Sequence, residues 1–194
     1  MSKKDHILDV AESLFNQFGY TAVGVDMIRD SAEVSKTSMY RHFGSKTKLI
    51  EAVLDRRHQR FESSLASKME SHSSSMDRLN ALLDWHFDWF EQADFKGCMF
   101  MHALAEFKET EETIAMLSYQ HKEWLKKSII GCLEISCFEV SDLELEGNLN
   151  VAQLEMKTEV LMTFIEGMIV RSEFGISMTE RDHYRRAIQS LVQS

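Results

Sequence analysis

Apolar residues recur at three- and four-residue intervals along almost the whole chain, and strict alternation is hard to find. That spacing predicts helices rather than strands. Ile7, Val10, Ala11, Leu14, Phe15 and Phe18 form one stripe with Gly19 behind it as a C-cap, which gives a first helix. After "YTAVG", Val25, Ile28 and Ala32 set the inner side of a short second helix over about residues 25–32, with Asp26 in its first turn. Ser35 is placed to N-cap a third short helix reaching Phe43. Gly44 closes that helix, and Ser45 caps a long fourth one carrying Leu49, Ile50, Val53, Leu54 and Phe61. Two short helices joined by so few residues make a helix-turn-helix.

Further on, serines cluster and the apolar pattern weakens near residues 70–75, which predicts a loop. Asp77 to Gln92 is apolar almost all round and reads as a buried central helix. Gly97 opens another helix, and a long one runs from about Glu111 to Ser136. "FEVSDLELEGN" reads as an irregular acidic connection, and two closing helices cover about 151–174 and 179–192. The absence of proline and the presence of only 8 glycines leave few interruptions, so the expected class is all-α.

Composition changes this picture little. Apolar residues at 44% and charged residues at 27% are ordinary for a globular protein. No apolar run has the length a membrane span needs, and "MSKKDHILDVAESLF" lacks the continuous core of a signal peptide. A cytoplasmic protein with no membrane partner is expected. Cys98, Cys132 and Cys137 show no CxxC spacing, so neither a disulfide framework nor a zinc knuckle is expected.

Charge is more telling. Residues 1–60 carry 10 Lys/Arg against 8 Asp/Glu, and the rest of the chain 12 against 23. Within "EVSKTSMYRHFGSKTKL", residues 33–49, no acid follows Glu33, although the chain has a net charge of −9. A helix that enters the major groove must keep its outer face polar and free of anions. Val34, Met39 and Phe43 fit the inner side of the third helix, leaving Lys36, Thr37, Ser38, Tyr40, Arg41 and His42 to face outward.

With its "Tyr40-x-His42-Phe43-x-x-Lys46" pattern, the stretch "GYTAVGVDMIRDSAEVSKTSMYRHFGSKTKLIEAVL" resembles the helix-turn-helix of the TetR family of bacterial transcription regulators. The resemblance covers about residues 5–55. It implies a three-helix DNA-binding domain at residues 1–46 and a larger helical ligand-binding and dimerisation domain at 47–194. It also implies a homodimer built through the last two helices, here through faces carrying Val160, Phe164, Ile188 and Leu191. By the resemblance, Lys36, Thr37 and Ser38 approach bases, Tyr40, His42 and Lys46 approach phosphates, and Arg41 does either; Ser35 completes the set. Three departures from the family pattern stand out. Glu33 stands where Gly is usual in the turn, at a position suited to φ > 0, where a non-Gly residue costs about 1 kcal/mol or more. Gly44 replaces a frequent Pro, and Val23 and Gly24 stand where capping Thr and Ser are common.

For the second domain the residue types must speak. Trp85, His86, Trp89, Phe100, His102, Tyr119, Gln120, Phe164 and Glu166 suit a pocket for a small apolar or aromatic effector. His102 and Glu106 stand four apart, but two ligands make no metal site, and no cofactor is expected. Cys98 follows Lys96-Gly97 at a helix start, where thiolate is favoured, so it is the redox candidate and the basis of an alternative, a thiol switch. Cys132 and Cys137 read as structural. No Gly-rich phosphate loop, G-x-S-x-G or convincing carboxylate pair is present, so an enzyme is not expected. The reading is a repressor that binds an operator in double-stranded DNA as a homodimer and is released by a small effector.

Overall fold

A computed structural model describes residues 2–139 and 151–193, with side chains described through Leu133 and from Val151 to Val192. The described residues form nine helices: α1 Lys3–Phe18, α2 Val25–Ser31, α3 Lys36–Phe43, α4 Lys46–Glu70, α5 Ser75–Phe90, α6 Met99–Phe107, α7 Glu112–Glu139, α8 Val151–Glu173 and α9 Arg181–Gln193. The all-α class and every expected helix are present, with ends displaced by at most three residues. The expected acidic connection falls almost wholly outside the described residues, as does the side chain of Cys137.

The caps explain where the N-terminal helices stop and start. Gly19 closes α1 with its N–H on the Phe15 carbonyl, and the Ser35 and Ser45 hydroxyls each accept from the backbone N–H three residues on, at 3.1 Å. α2 ends in a Schellman motif. The Val34 N–H reaches the Arg29 carbonyl at 3.1 Å and the Glu33 N–H reaches Asp30 at 3.3 Å, which places Glu33 in the left-handed position at φ 52. The same motif ends α8, where Gly175 holds that position at φ 77. Glu33→Gly should therefore raise stability by about 1 kcal/mol in urea denaturation, whereas Gly175→Glu should lower it by a similar amount. A neutral or destabilising Glu33→Gly would show that the glutamate side chain contributes more than its backbone costs.

The described chain folds as two compact units, residues 1–61 with 98–121 and residues 62–97 with 122–194. The first is thus larger than the 1–46 segment expected to bind DNA, since it takes in α6 and the starts of α4 and α7. Its core gathers Ile7, Ala11, Phe15, Tyr20, Ile28, Leu49, Val53 and Leu54. Tyr20 is fully buried. Its hydroxyl donates to the Met99 carbonyl at 2.9 Å and its ring meets Phe15 and Phe107, which ties the turn after α1 to α6.

In the second unit α5 is the central helix, with Leu79, Leu82, Leu83, Phe87, Trp89 and Phe90 buried. Arg181 bridges Asp88 and Glu91 at 2.9 and 2.8 Å, and Arg185 pairs with Asp84, so α9 is bound to α5 by charge as well as by the Tyr184–Phe87 ring contact. Ile188 is fully buried within the chain. Its expected place on an exposed dimerisation face is corrected: α9 turns this residue inward, and Leu191 remains at the surface.

Candidate nucleic-acid interface

α3 begins cleanly because Ser35 is extended (φ −77, ψ 149) and caps the Ser38 N–H, and no acid occupies its first turn. Lys36, Thr37, Tyr40 and Arg41 are exposed along one side. Met39 is buried beneath them, with Val34 and Phe43 half-buried. One flank carboxylate touches this face: Asp26 of α2 lies 3.5 Å from the Lys36 ammonium and 2.8 Å from Arg29.

Two of the outward residues need correction. Ser38 is buried at 7% exposure, and its hydroxyl has no partner among the described residues. At that burial it does not belong to the outer face. His42 is half-buried, with Nε2 buried and without a hydrogen-bond partner among the described residues. Lys46 is also half-buried: its ammonium reaches the Thr21 carbonyl at 3.4 Å, and burial lowers its pKa, opposed by the Glu106 charge.

Glu106, from α6, accepts from the Tyr20 N–H at 3.0 Å and the Thr21 N–H at 2.6 Å. Burial would raise its pKa, but these bonds outweigh it and hold the carboxyl below its usual value. Both of its oxygens are therefore committed to the turn that precedes α2. Among the described residues no group of three or more His, Cys, Asp or Glu gathers as a metal site.

The nine residues expected to line one effector pocket do not gather within either unit. Phe100, His102, Tyr119 and Gln120 belong to the first unit; Trp85, His86, Trp89, Phe164 and Glu166 belong to the second. Tyr119 and Gln120 are corrected to surface positions, because their face of α7 points away from the core. Phe100 is buried and stacks on His121 at 3.7 Å, and His121 Nδ1 meets His58 Nδ1 at 3.2 Å. His86 is buried against Trp85, Trp89 and Phe90, with Nδ1 on the Leu82 carbonyl at 2.8 Å. Burial pushes its pKa down to about 4, so it is a neutral core histidine. Glu166 pairs with Lys122 at 3.3 Å, Trp85 donates to Ser64, and Phe164 borders a shallow depression with Val160 and Thr163.

Cys98 is the N-cap residue of α6 and only 3% exposed, without a side-chain cap hydrogen bond. The helix start is as expected, but the thiol is buried. Cys132 is buried, and burial raises its pKa to about 11 against the opposing effect of Arg78.

Sequence reasoning overlooked the support beneath the interface. Glu12 of α1 is buried among Arg56, Arg57 and Arg60 of α4, with the first two at 3.0 and 2.8 Å. The run "RRHQR" was a usable signal, since arginines at i, i+1 and i+4 fall within about 100° of one helix face and can converge on a single acid.

A sequence model described as "Bacterial regulatory proteins, tetR family" matches residues 7–53. The chain is 35% identical over 89 residues to the HTH-type transcriptional activator FasR of Mycolicibacterium smegmatis, covering 46% of this chain and 41% of FasR. It is 28% identical over 111 residues to the HTH-type transcriptional repressor NemR of Escherichia coli K12, covering 56% of each. The aligned segments thus span about half the length of these relatives. In three dimensions it is similar to SCO4454, a TetR-family transcriptional regulator from Streptomyces coelicolor, with a TM-score of 0.83 at 19% identity over 98% of this chain and 94% of that one. It is also similar to the reduced form of Escherichia coli NemR, with a TM-score of 0.78 at 22% identity over 97% of both chains. Residues 7–53 thus match the helix-turn-helix of the TetR family, and the chain shares the all-helical fold of solved TetR-family regulators.

Proposed function

We propose that this protein is a DNA-binding transcriptional repressor that sets α3 in the major groove, binds a pseudo-palindromic operator as a homodimer, and is released by a small apolar or aromatic effector. One observation carries the DNA-binding part: the exposed side of α3 offers Lys36, Thr37, Tyr40 and Arg41 without a carboxylate of its own. Its partner is a polyanion with one charge per roughly 1.7 Å of axis. The names of FasR and NemR, both HTH-type transcriptional regulators, support the same reading.

In a dimer the two α3 helices would read half-sites about 34–36 Å apart. An operator selected from random DNA should bind Arg41→Ala and Lys46→Ala more weakly than the parent. A lost phosphate contact should also flatten the dependence of log K on log[salt] by about one. Unchanged affinity and slope in both variants would remove these residues from the interface.

Effector release requires a ligand that favours the state unable to bind DNA, and a coupling of about 1–3 kcal/mol lowers operator affinity roughly 5- to 150-fold. α4 is one helix from Lys46 to Glu70 and contributes to both units, so we assign the coupling to it. The second reading is a thiol switch at Cys98, favoured by its place at the start of α6 and by the likeness to a NemR structure described as reduced. Its burial requires local opening before any reagent reaches it. Cys98→Ser separates the two: retained response to an unreactive ligand supports the effector, and loss of response confined to oxidants or electrophiles supports the thiol.

A further inference from the structure

Within the second unit, α4, α5 and α7 border a groove of about 550 Å³, a volume suited to a small-molecule ligand. Its apolar wall is made by Leu65 and Met69, both buried, and by half-buried Trp124. Gly131 keeps one side open, since a Cβ built there would meet nothing within 4 Å. The cations on the groove are Arg78 and Lys127; the acids are Glu62 and Glu70, both exposed.

Arg78 is unusual in this chain. The other buried or half-buried arginines, Arg29, Arg56, Arg57, Arg181 and Arg185, each have a carboxylate partner within 3.0 Å. Among the described residues Arg78 has none. Its partner is the neutral thiol of Cys132, and its Nε is buried without a hydrogen bond. A half-buried guanidinium without a counter-charge is costly, and its planar fork matches a carboxylate. Lys122 and Lys126 nearby on α7 are paired with Glu166 and Glu159, whereas Lys127 forms no ion pair among the described residues. The exposed acids disfavour a polyanion, and the wall of Leu65, Met69 and Trp124 favours an apolar body.

We infer that this groove binds a small organic monocarboxylate with an aromatic or alkyl body, its carboxylate on Arg78 with Lys127 beside it and its body against Trp124, Met69 and Leu65. The site stands on its own geometry. Its consequence for DNA rests on the effector-controlled reading above.

The test is isothermal titration of the full chain with 4-phenylbutyrate and decanoate, each compared with its primary amide. The acids should bind at least about tenfold more tightly than the amides, because only they form a charge-assisted pair. Arg78→Gln should abolish that preference with the circular dichroism spectrum retained. Should Arg78→Gln fail to fold, Gly131→Leu serves instead: by filling the groove it should weaken acid and amide alike by at least about tenfold. No binding of the acids at millimolar concentration, equal affinity for acid and amide, or affinity untouched by the variant overturns the inference. Operator binding, measured in parallel, keeps the two readings apart. Acids that bind through Arg78 yet leave operator affinity unchanged support the site and defeat effector release by this class. Acids that do not bind, with operator binding intact, defeat the site and leave the DNA-binding reading standing.

Discussion

Glu12→Gln should destabilise the protein by about 3–5 kcal/mol, the range expected when a buried ion cluster loses one partner. Glu12 is 7% exposed and faces three arginines, of which Arg57 is itself 6% exposed. The amide keeps the shape and removes the charge, leaving Arg56 with exposed Asp9 at 2.7 Å and Arg57 with no carboxylate among the ion pairs of the described residues. Burial alone would raise the Glu12 pKa, but the hydrogen bonds and charges of Arg60 and Arg57 outweigh it and hold it below 4.5. A depressed carboxylate pKa contributes stability that is fully present above about pH 4.5 and fades as pH falls through the folded value. The gap between parent and variant in urea denaturation should therefore be widest near neutrality and narrow below pH 4.5. A loss under about 1 kcal/mol at pH 7 would mean that the arginines relax into solvent, and the cluster would not be what holds α1 to α4.

The second large effect concerns assembly. Met156 and Val160 of α8 are 58% and 41% exposed, and exposed Thr163 and Gly167 continue the same face at helical spacing. Around Gly167 a Cβ would meet nothing within 4 Å, so the face is open to a second helix at close range. With Leu191 of α9 at 39% exposure, this is the apolar surface through which we propose the dimer forms. Met156→Asp with Val160→Asp should give monomers in sedimentation without unfolding, since neither side chain is in the core. Joining two α3 helices on one operator raises affinity by about 10²- to 10⁴-fold over a single contact, so the monomer should lose at least about a hundredfold. A monomeric parent protein, or a double variant that remains dimeric, would reject this face.

The sequence by itself determined what depends on neighbours within a few positions. Ser35, Ser45, Gly19 and Gly44 set helix ends through bonds that span three or four residues, and the left-handed conformation of Glu33 follows from the turn that must fit between Ala32 and Val34. The carboxylate-free run after Glu33 was legible for the same reason, because a helix of eight residues offers few ways to orient its faces.

What only the tertiary structure decided depends on which helices meet. Periodicity says that Ser38 and Tyr40 lie on different sides of α3 without saying which neighbour covers one of them, and a small serine sits as readily inside as outside. Ile188 shows the same ambiguity: its stripe on α9 could face a second copy or its own chain, and ion pairs of Arg181 and Arg185 with α5 turned it inward. The residues expected to line an effector pocket divide between the two units, and Trp, His and Phe are as useful for filling a core as for lining a cavity; His86, buried and neutral, fills one. Arg78 was invisible to pattern reading for the converse reason. Its significance is that no carboxylate partners it among the described residues, and whether a charge lacks a partner is settled by side chains distant in sequence, at separations where Coulomb energy and desolvation depend on the folded path of the chain.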